Sequence, residues 1–447
     1  MPVSASKIEE TISRGRRALK ANPGDVQLHE MMADLYERLG RHQEAGTHLA
    51  FLLSQTLSPD EALYVRYAKA LQRAGLFHQA QALLDEALRH FPTSIRLQRN
   101  KAITFVLMQE FKRAEELYRE LAERDASDAH SAGLVGTLQF LLSDMQDGYA
   151  QYALRPLDRA LSRLLESVIR WNGEPLNGKR VVVWSEQGIG DAIMFLSLLP
   201  WVTAKASAVT VVVTAKLAPL VARAFPEVEI VSEEGLKAIG TQFDYHVLMG
   251  DLLQHALRDY TPGMHPPFLV ADMQRAGALR HAYLAQARER GREKLIGLAW
   301  HTTNPEVGFT RNISLSELQP ILSVPGIQFV SLQYGEHTEE IVECNRRCRD
   351  AIFVDPAIDA FNDIDGLAAQ MAALDGVITI DNATVHLAGA LGVPTTLLLC
   401  AVPDWRWGLQ GNNSRWYRSV HLERQEALSK WKPAIQRVRK RLMDGAQ

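Results

Sequence analysis

Two segments of this sequence carry residues able to do acid–base and anion chemistry. The first is Ser185-Glu186-Gln187-Gly188-Ile189-Gly190-Asp191, which follows the β-branched run VVVW (181–184) and precedes a helix predicted from about Ala192. Gly188 and Gly190 let the backbone turn tightly above a sheet. The third glycine of a dinucleotide loop would fall at residue 193, which is isoleucine, and Asp191 sets a negative charge where a pyrophosphate would lie. A nicotinamide cofactor is therefore disfavoured. An aspartate at a helix start is stabilised as the carboxylate by the helix dipole, and facing a cleft it can accept a proton from a hydroxyl. The plain alternative is a helix cap.

The second segment is Asp381-Asn382-Ala383-Thr384-Val385-His386, running directly out of VITI (377–380) into a predicted helix. A strand end followed by small and polar residues at a helix N-terminus suits an anion such as a diphosphate, without a metal. His386, about one turn in, either supports a leaving phosphate or is a satisfied core histidine. Between the two segments, Asn304 and Arg311 lie in a polar loop after LIGLAW (295–300). Arg311 either clamps phosphate oxygens in bidentate fashion or forms a loop salt bridge. Gln333, ending FVSLQ, is placed for a ribose or a base, and the two tryptophans of Asp404–Gly408 border a ligand or anchor the last helix.

These residues need a scaffold, and the chain of 447 residues is long enough for two or three domains. Its first ~150 residues read as helix after helix with an internal repeat. Ala45, Ala80 and Ala114 are spaced 35 and then 34 residues apart, each preceded twelve residues earlier by Ala33, Ala68 or Ala102. Tyr36, Leu71 and Phe105 follow those by three, and Gly40 and Gly75 stand at the turn where the third unit has Gln109. This period resembles the tetratricopeptide repeat. Residues 7–23 read as an incomplete leading unit, and Gly136 and Gly148 continue the register into a degenerate fourth unit running towards 170. Such a solenoid offers a concave surface for a peptide, or stiffens the enzyme or joins copies of the chain.

Strand–helix alternation follows. Strands are predicted at 181–184, 209–213, 228–231 and 245–250, then, after a helix and linker at 273–293, at 295–300, 329–333, 351–354, 377–380 and 395–399. Two such sets predict two parallel, doubly wound sheets with ligands at their carboxyl strand ends. The predicted division is 1–170 for the repeat arm, 171–290 for a first Rossmann-like lobe and 291–447 for a second. The last segment, 423–442, is predicted as one charged amphipathic helix.

Composition excludes some functions. A formal net charge of -3 argues against a general nucleic-acid binder. No stretch approaches the ~18 apolar residues of a spanning helix, and the start lacks a signal-peptide core, so the expected location is the cytoplasm. Three cysteines suit a reducing compartment, and Cys344 and Cys348 have no second pair to complete a zinc site.

Taken together, the repeats, WSEQGIGDAIMFLSLLPWV, the TNP…RNISL loop, SLQ, IDNATVHLAGALGVPTTLLL, VPDWRWG and SRWY resemble the tetratricopeptide-linked glycosyltransferases related to bacterial ADP-heptose:lipopolysaccharide heptosyltransferases. The resemblance covers most of the chain. It implies a GT-B fold and an inverting, metal-independent transfer from a nucleotide sugar, with no further cofactor. It implies Asp191 as catalytic base and Asp381 to His386 as the hold on the donor's ribose and phosphates. With the residues read above, the candidate site is Asp191 and His386 for catalysis and Gly188, Gly190, Asn304, Arg311, Gln333, Asp381, Asn382, Ala383 and Thr384 for the donor. The family often has threonine where Asn382 stands, and lysine or glycine where Tyr334 stands. Protein O-GlcNAc transferases share this plan but carry an asparagine ladder, where this chain has Met31, Arg66 and Asn100. The expected acceptor is a protein held by the repeats. The alternative is a repeat scaffold whose α/β part has lost turnover.

Overall fold

The computed structural model describes residues 5–125, 127–143, 148–157, 168–232, 243–256, 258, 261, 263 and 266–444. The chain divides into two compact units, Met1–Leu142 and Ser143–Gln447. Among the described residues no helix is long and apolar enough to cross a membrane.

The first unit is eight helices: α1 (Ala5–Ala21), α2 (Val26–Arg38), α3 (His42–Gln55), α4 (Glu61–Arg73), α5 (Phe77–His90), α6 (Ile95–Leu107), α7 (Phe111–Arg124) and α8 (Ala129–Leu142). The repeat is written in its caps as well as its core. The side chains of Asp25, Asp60, Ser94 and Asp128 accept from the backbone N–H three residues on, at Leu28, Leu63, Leu97 and Ser131. Each cap satisfies a donor that the helix start would otherwise leave open. The repeated alanines and Tyr36, Leu71 and Phe105 are buried.

The first helix of each pair ends alike. Gly40, Gly75 and Gln109 have φ of 69°, 76° and 62°, and the next N–H reaches back to Tyr36, Leu71 or Phe105. This double back-bond requires a left-handed residue, which suits glycine. Gln109 adopts the same conformation and keeps the bond from Glu110 N to the Phe105 carbonyl.

The second unit holds two wholly parallel sheets. β1 (Arg180–Trp184), β2 (Ala208–Val213), β3 (Glu229–Ser232) and β4 (Tyr245–Leu248) lie in the order β3-β2-β1-β4. β5 (Lys294–Ala299), β6 (Ile327–Ser331), β7 (Ile352–Phe353), β8 (Gly376–Ile380), β9 (Thr395–Leu399) and β10 (Val420–Arg424) lie in the order β10-β9-β8-β5-β6-β7. β1, β2 and β8 are buried almost throughout, as valine-rich parallel strands covered on both faces must be. In each sheet the chain winds outward from its first strand and then crosses back to that strand's other side. The switch points therefore lie between β1 and β4 and between β5 and β8, where crevices open at the carboxyl ends.

Two expectations are corrected. The segment 423–442 is not one helix: Val420–Arg424 is the sheet-edge strand β10 and the helix spans Lys432–Asp444. Glu423 lies in β10 yet pairs with Arg437 and Arg441 of that helix, so its charge reads as helical while its backbone is extended. The helical unit also ends at Leu142 rather than near 170, and residues 148–157 belong to the α/β unit. The part of the expected fourth repeat at 158–167 lies outside the described residues.

The left-handed Gln109 gives a stability test. Gln109→Gly removes a Cβ penalty of about 1 kcal/mol. Chemical denaturation of the full chain should show the helical unit's transition moving to higher denaturant. An unchanged or earlier transition would mean that the turn is not strained.

Candidate functional site

Both switch points are occupied by charge. The first is bounded by Glu186 after β1 and Asp251 after β4. Between them lies Arg155, from the segment that follows α9 (Tyr149–Tyr152). Arg155 pairs with Glu186 and, at 2.9 Å, with Asp251. Asp251 also accepts from Tyr149 Oη at 3.3 Å and Arg170 Nη2 at 2.6 Å. A Cβ on Gly250 would lie 2.8 Å from Arg155 Nη2, so only glycine leaves room for the guanidinium. Gln187 Nε2 donates to Tyr152 Oη at 2.5 Å. The residues after the repeats thus brace the β1 loop from below.

That loop enters helix α10 (Ile189–Leu196), capped by Gly188. The helix starts three residues earlier than predicted, so Asp191 lies inside its first turn and is not its cap. Helix α16 of the second lobe (Ala383–Ala390; the labels α11 to α15 belong to Met273–Arg288, Pro305–Arg311, Leu315–Leu322, Thr338–Arg347 and Ile364–Ala372) leaves the β8 end. α10 and α16 meet at their first turns. A Cβ on Gly190 would fall 3.0 Å from His386 Cδ2 and 3.6 Å from the Ala383 Cα. Gly190 is therefore a packing glycine between lobes.

At this junction five charged side chains alternate. Asp191 pairs with Arg406, and Arg406 with Asp404. Asp404 lies 3.5 Å from Arg311 Nη2, and Arg311 Nη1 lies 3.1 Å from Asp381 Oδ2. Arg311 Nη1 also donates to the Asp381 carbonyl at 3.1 Å. Burial alone would push the Arg406 guanidinium down, but Asp191 and then Asp404 outweigh it and hold it above its ordinary value. Burial would raise Asp404, yet Arg406 and Arg311 hold it below the usual carboxylate range. Burial raises the fully enclosed Asp381 in spite of Arg311. His386 is pushed down to about 3 by burial and then by the Arg406 charge, so its ring is neutral. Its Nδ1 is 3.0 Å from Tyr417 Oη and its ring packs on Trp407.

The other expected site residues take local roles here. Asn304 caps α12, accepting from Glu306 N at 3.0 Å, and Asn382 caps α16, accepting from Thr384 N at 3.0 Å. Thr384 is buried and Ala383 half-buried. Gln333 Oε1 accepts from Trp300 N and His301 N at 2.9 Å, while Nε2 donates to the His301 and Tyr334 carbonyls. Those four bonds saturate the amide, so Gln333 pegs the loop after β5 and has no group left for a ribose. Arg311 takes the salt-bridge alternative. Among the described residues no three His, Cys, Asp or Glu side chains group as a metal site.

Sequence reasoning missed Arg406, Asp404 and Arg155. Asp404 and Arg406 follow the carboxyl end of β9, and an arginine between two tryptophans, two residues after an aspartate, was the available signal. Arg155 had none, because its partners are 31 and 96 residues away.

Comparison with known proteins finds likenesses for both parts of the chain. A tetratricopeptide-repeat family model matches residues 71–138. Protein FlbA of Caulobacter vibrioides is 30% identical over 455 aligned residues, covering 95% of this chain and 74% of that protein. Among solved structures, a glycosyl transferase family 9 protein from Veillonella parvula aligns at 14% identity with a TM-score of 0.43, covering 62% of this chain and 98% of that one. Heptosyltransferase II of E. coli, an ADP-heptose enzyme of lipopolysaccharide, aligns at 16% identity and TM-score 0.41, covering 59% and 97%. The chain belongs to the family of Caulobacter Protein FlbA, with a tetratricopeptide-repeat segment joined to an α/β unit of parallel sheets.

Proposed function

We propose that this protein is an inverting, metal-independent glycosyltransferase of the cytoplasm. It moves a sugar from a nucleotide-sugar donor to a hydroxyl of a protein docked on the repeat arm. One observation carries the proposal: a first-lobe carboxylate, Asp191, and a second-lobe helix N-terminus with two arginines converge on one point at the carboxyl ends of both sheets. In the proposed step the acceptor oxygen bonds to the sugar's C1 as the bond from C1 to the diphosphate oxygen breaks. The diphosphate leaves with the electron pair, and Asp191 takes the hydroxyl proton. The N-terminus of α16 and the arginines meet the charge that develops on the leaving group. Neutral His386, held at Nδ1 by Tyr417, offers its other nitrogen as a hydrogen-bonding group.

A second reading, a protein-interaction scaffold without turnover, is favoured by the pairing of Asp191 with Arg406. Turnover separates the two. Asp191→Asn keeps the helix but removes the base, so sugar transfer should fall by about 10²-fold or more. Wild-type transfer by the variant would leave Asp191 as a structural ion-pair partner and move the base elsewhere.

Each site carboxylate is already matched to an arginine, so chelator should leave donor binding and turnover unchanged. A strict need for manganese or magnesium would defeat the metal-independent reading.

The arm is tested by truncation. A chain beginning at Ser143 keeps Tyr149, Tyr152 and Arg155, which brace the β1 loop. It should bind donor and hydrolyse it slowly but lose transfer to its protein acceptor, because docking acts through effective concentration. Transfer equal to that of the full chain would make the arm an assembly element.

A further inference from the structure

We propose that Arg406 is a cation shared between two anions in turn: Asp191 holds it in the empty protein, and the donor's diphosphate takes it over, releasing Asp191. The inference rests on the glycosyltransferase reading and adds to it an order of events, donor before acceptor.

The first argument is a count of charges. Asp191, Asp404 and Asp381 face Arg311 and Arg406 alone in this chain of pairs. Three carboxylates face two guanidiniums, so neither arginine is free for a diphosphate. An anion entering a site so balanced must displace a carboxylate from an arginine.

The second argument is which pair yields. Arg311 is tied to the Asp381 carboxylate, the Asp381 carbonyl and Asp404, all within the second lobe. Arg406 is tied to its near neighbour Asp404, and to Asp191 on the other lobe. Within the cluster, the Asp191–Arg406 pair is the one that crosses between lobes. The Asp191 and Arg406 side chains are 21% and 13% exposed, so both are within reach of solvent.

The third argument is an open valence. Arg406 Nε is buried and has no hydrogen-bond partner among the described residues. A guanidinium has five N–H donors in a fixed fork, and a buried one left unmatched is costly. A phosphate oxygen arriving beside Arg406 supplies the missing acceptor. Asp191 then loses its partner, and the carboxylate oxygen that Arg406 covered becomes accessible to the acceptor hydroxyl. The same device keeps the base blocked while no donor is present.

The test is direct binding to the folded, full-length protein. Inorganic pyrophosphate and the panel ADP, GDP, CDP, UDP and dTDP are titrated by calorimetry into wild type, Asp191→Asn, Arg406→Gln and Arg406→Lys. Asp191→Asn removes the competitor, so the diphosphates should bind about tenfold tighter or more, the scale of one charge-assisted hydrogen bond. Arg406→Gln should weaken them by a similar factor, and Arg406→Lys should recover part of the loss. A tighter complex cannot come from misfolding, which keeps the Asp191→Asn result decisive even if an Arg406 variant is unstable. Equal or weaker binding by Asp191→Asn, with wild type binding normally, overturns the shared-cation proposal and leaves the glycosyltransferase reading standing. Failure of every diphosphate to bind wild type and Asp191→Asn overturns both.

Discussion

Gly190 has no side chain, and the meeting of the two lobes at the candidate site depends on that absence. Helix α10 lies so close to the Ala383 backbone and the His386 ring that a Cβ at residue 190 would stand 3.0 Å from the imidazole. The contact brings Asp191 within reach of Arg406, which in turn holds Asp404 and, through it, Arg311 and Asp381. A Cβ at 190 would require the His386 ring to give by a few tenths of an ångström, against a ring already packed on Trp407 and bonded to Tyr417. Charges taken from water need partners in good geometry, and one partner missing costs more than the pair was worth.

Much of the scaffold was legible because local rules suffice for it. The helical repeat follows from alanines at a fixed period, and the caps at Asp25, Asp60, Ser94 and Asp128 repeat in the same register. The buried parallel strands are runs of valine, isoleucine and leucine, whose burial on both faces removes any alternation. β10 was missed because VHLER carries charges facing a helix, and alternation over five residues of mixed polarity is too weak to overrule them.

The site was legible only in part, for a different reason. Asp191, Arg311, Asp381 and His386 announce themselves by following the ends of predicted strands in the sequence. Whether a group there is free or matched depends on residues far away in sequence. Arg406 is 215 residues from Asp191, and no local pattern shows that one neutralises the other. The amide of Gln333 looks available until the loop after β5 folds onto it. Pairing over such distances is a property of the assembled fold, and it changes the meaning of each residue it touches.

The segment after the repeats carries this point furthest. Tyr149, Tyr152 and Arg155 precede the first strand of the α/β unit, yet they fill the crevice at its first switch point. In an open parallel sheet that crevice is where a ligand would lie. Here the chain's own arginine lies there, neutralising Glu186 and Asp251 where an outside group would otherwise be required. Asp191, on α10, is paired across to Arg406 of the second lobe. In the proposed reaction an acceptor would approach Asp191 beside Arg406, so that proton acceptor and cation would address the two reacting groups from one edge of the same cluster.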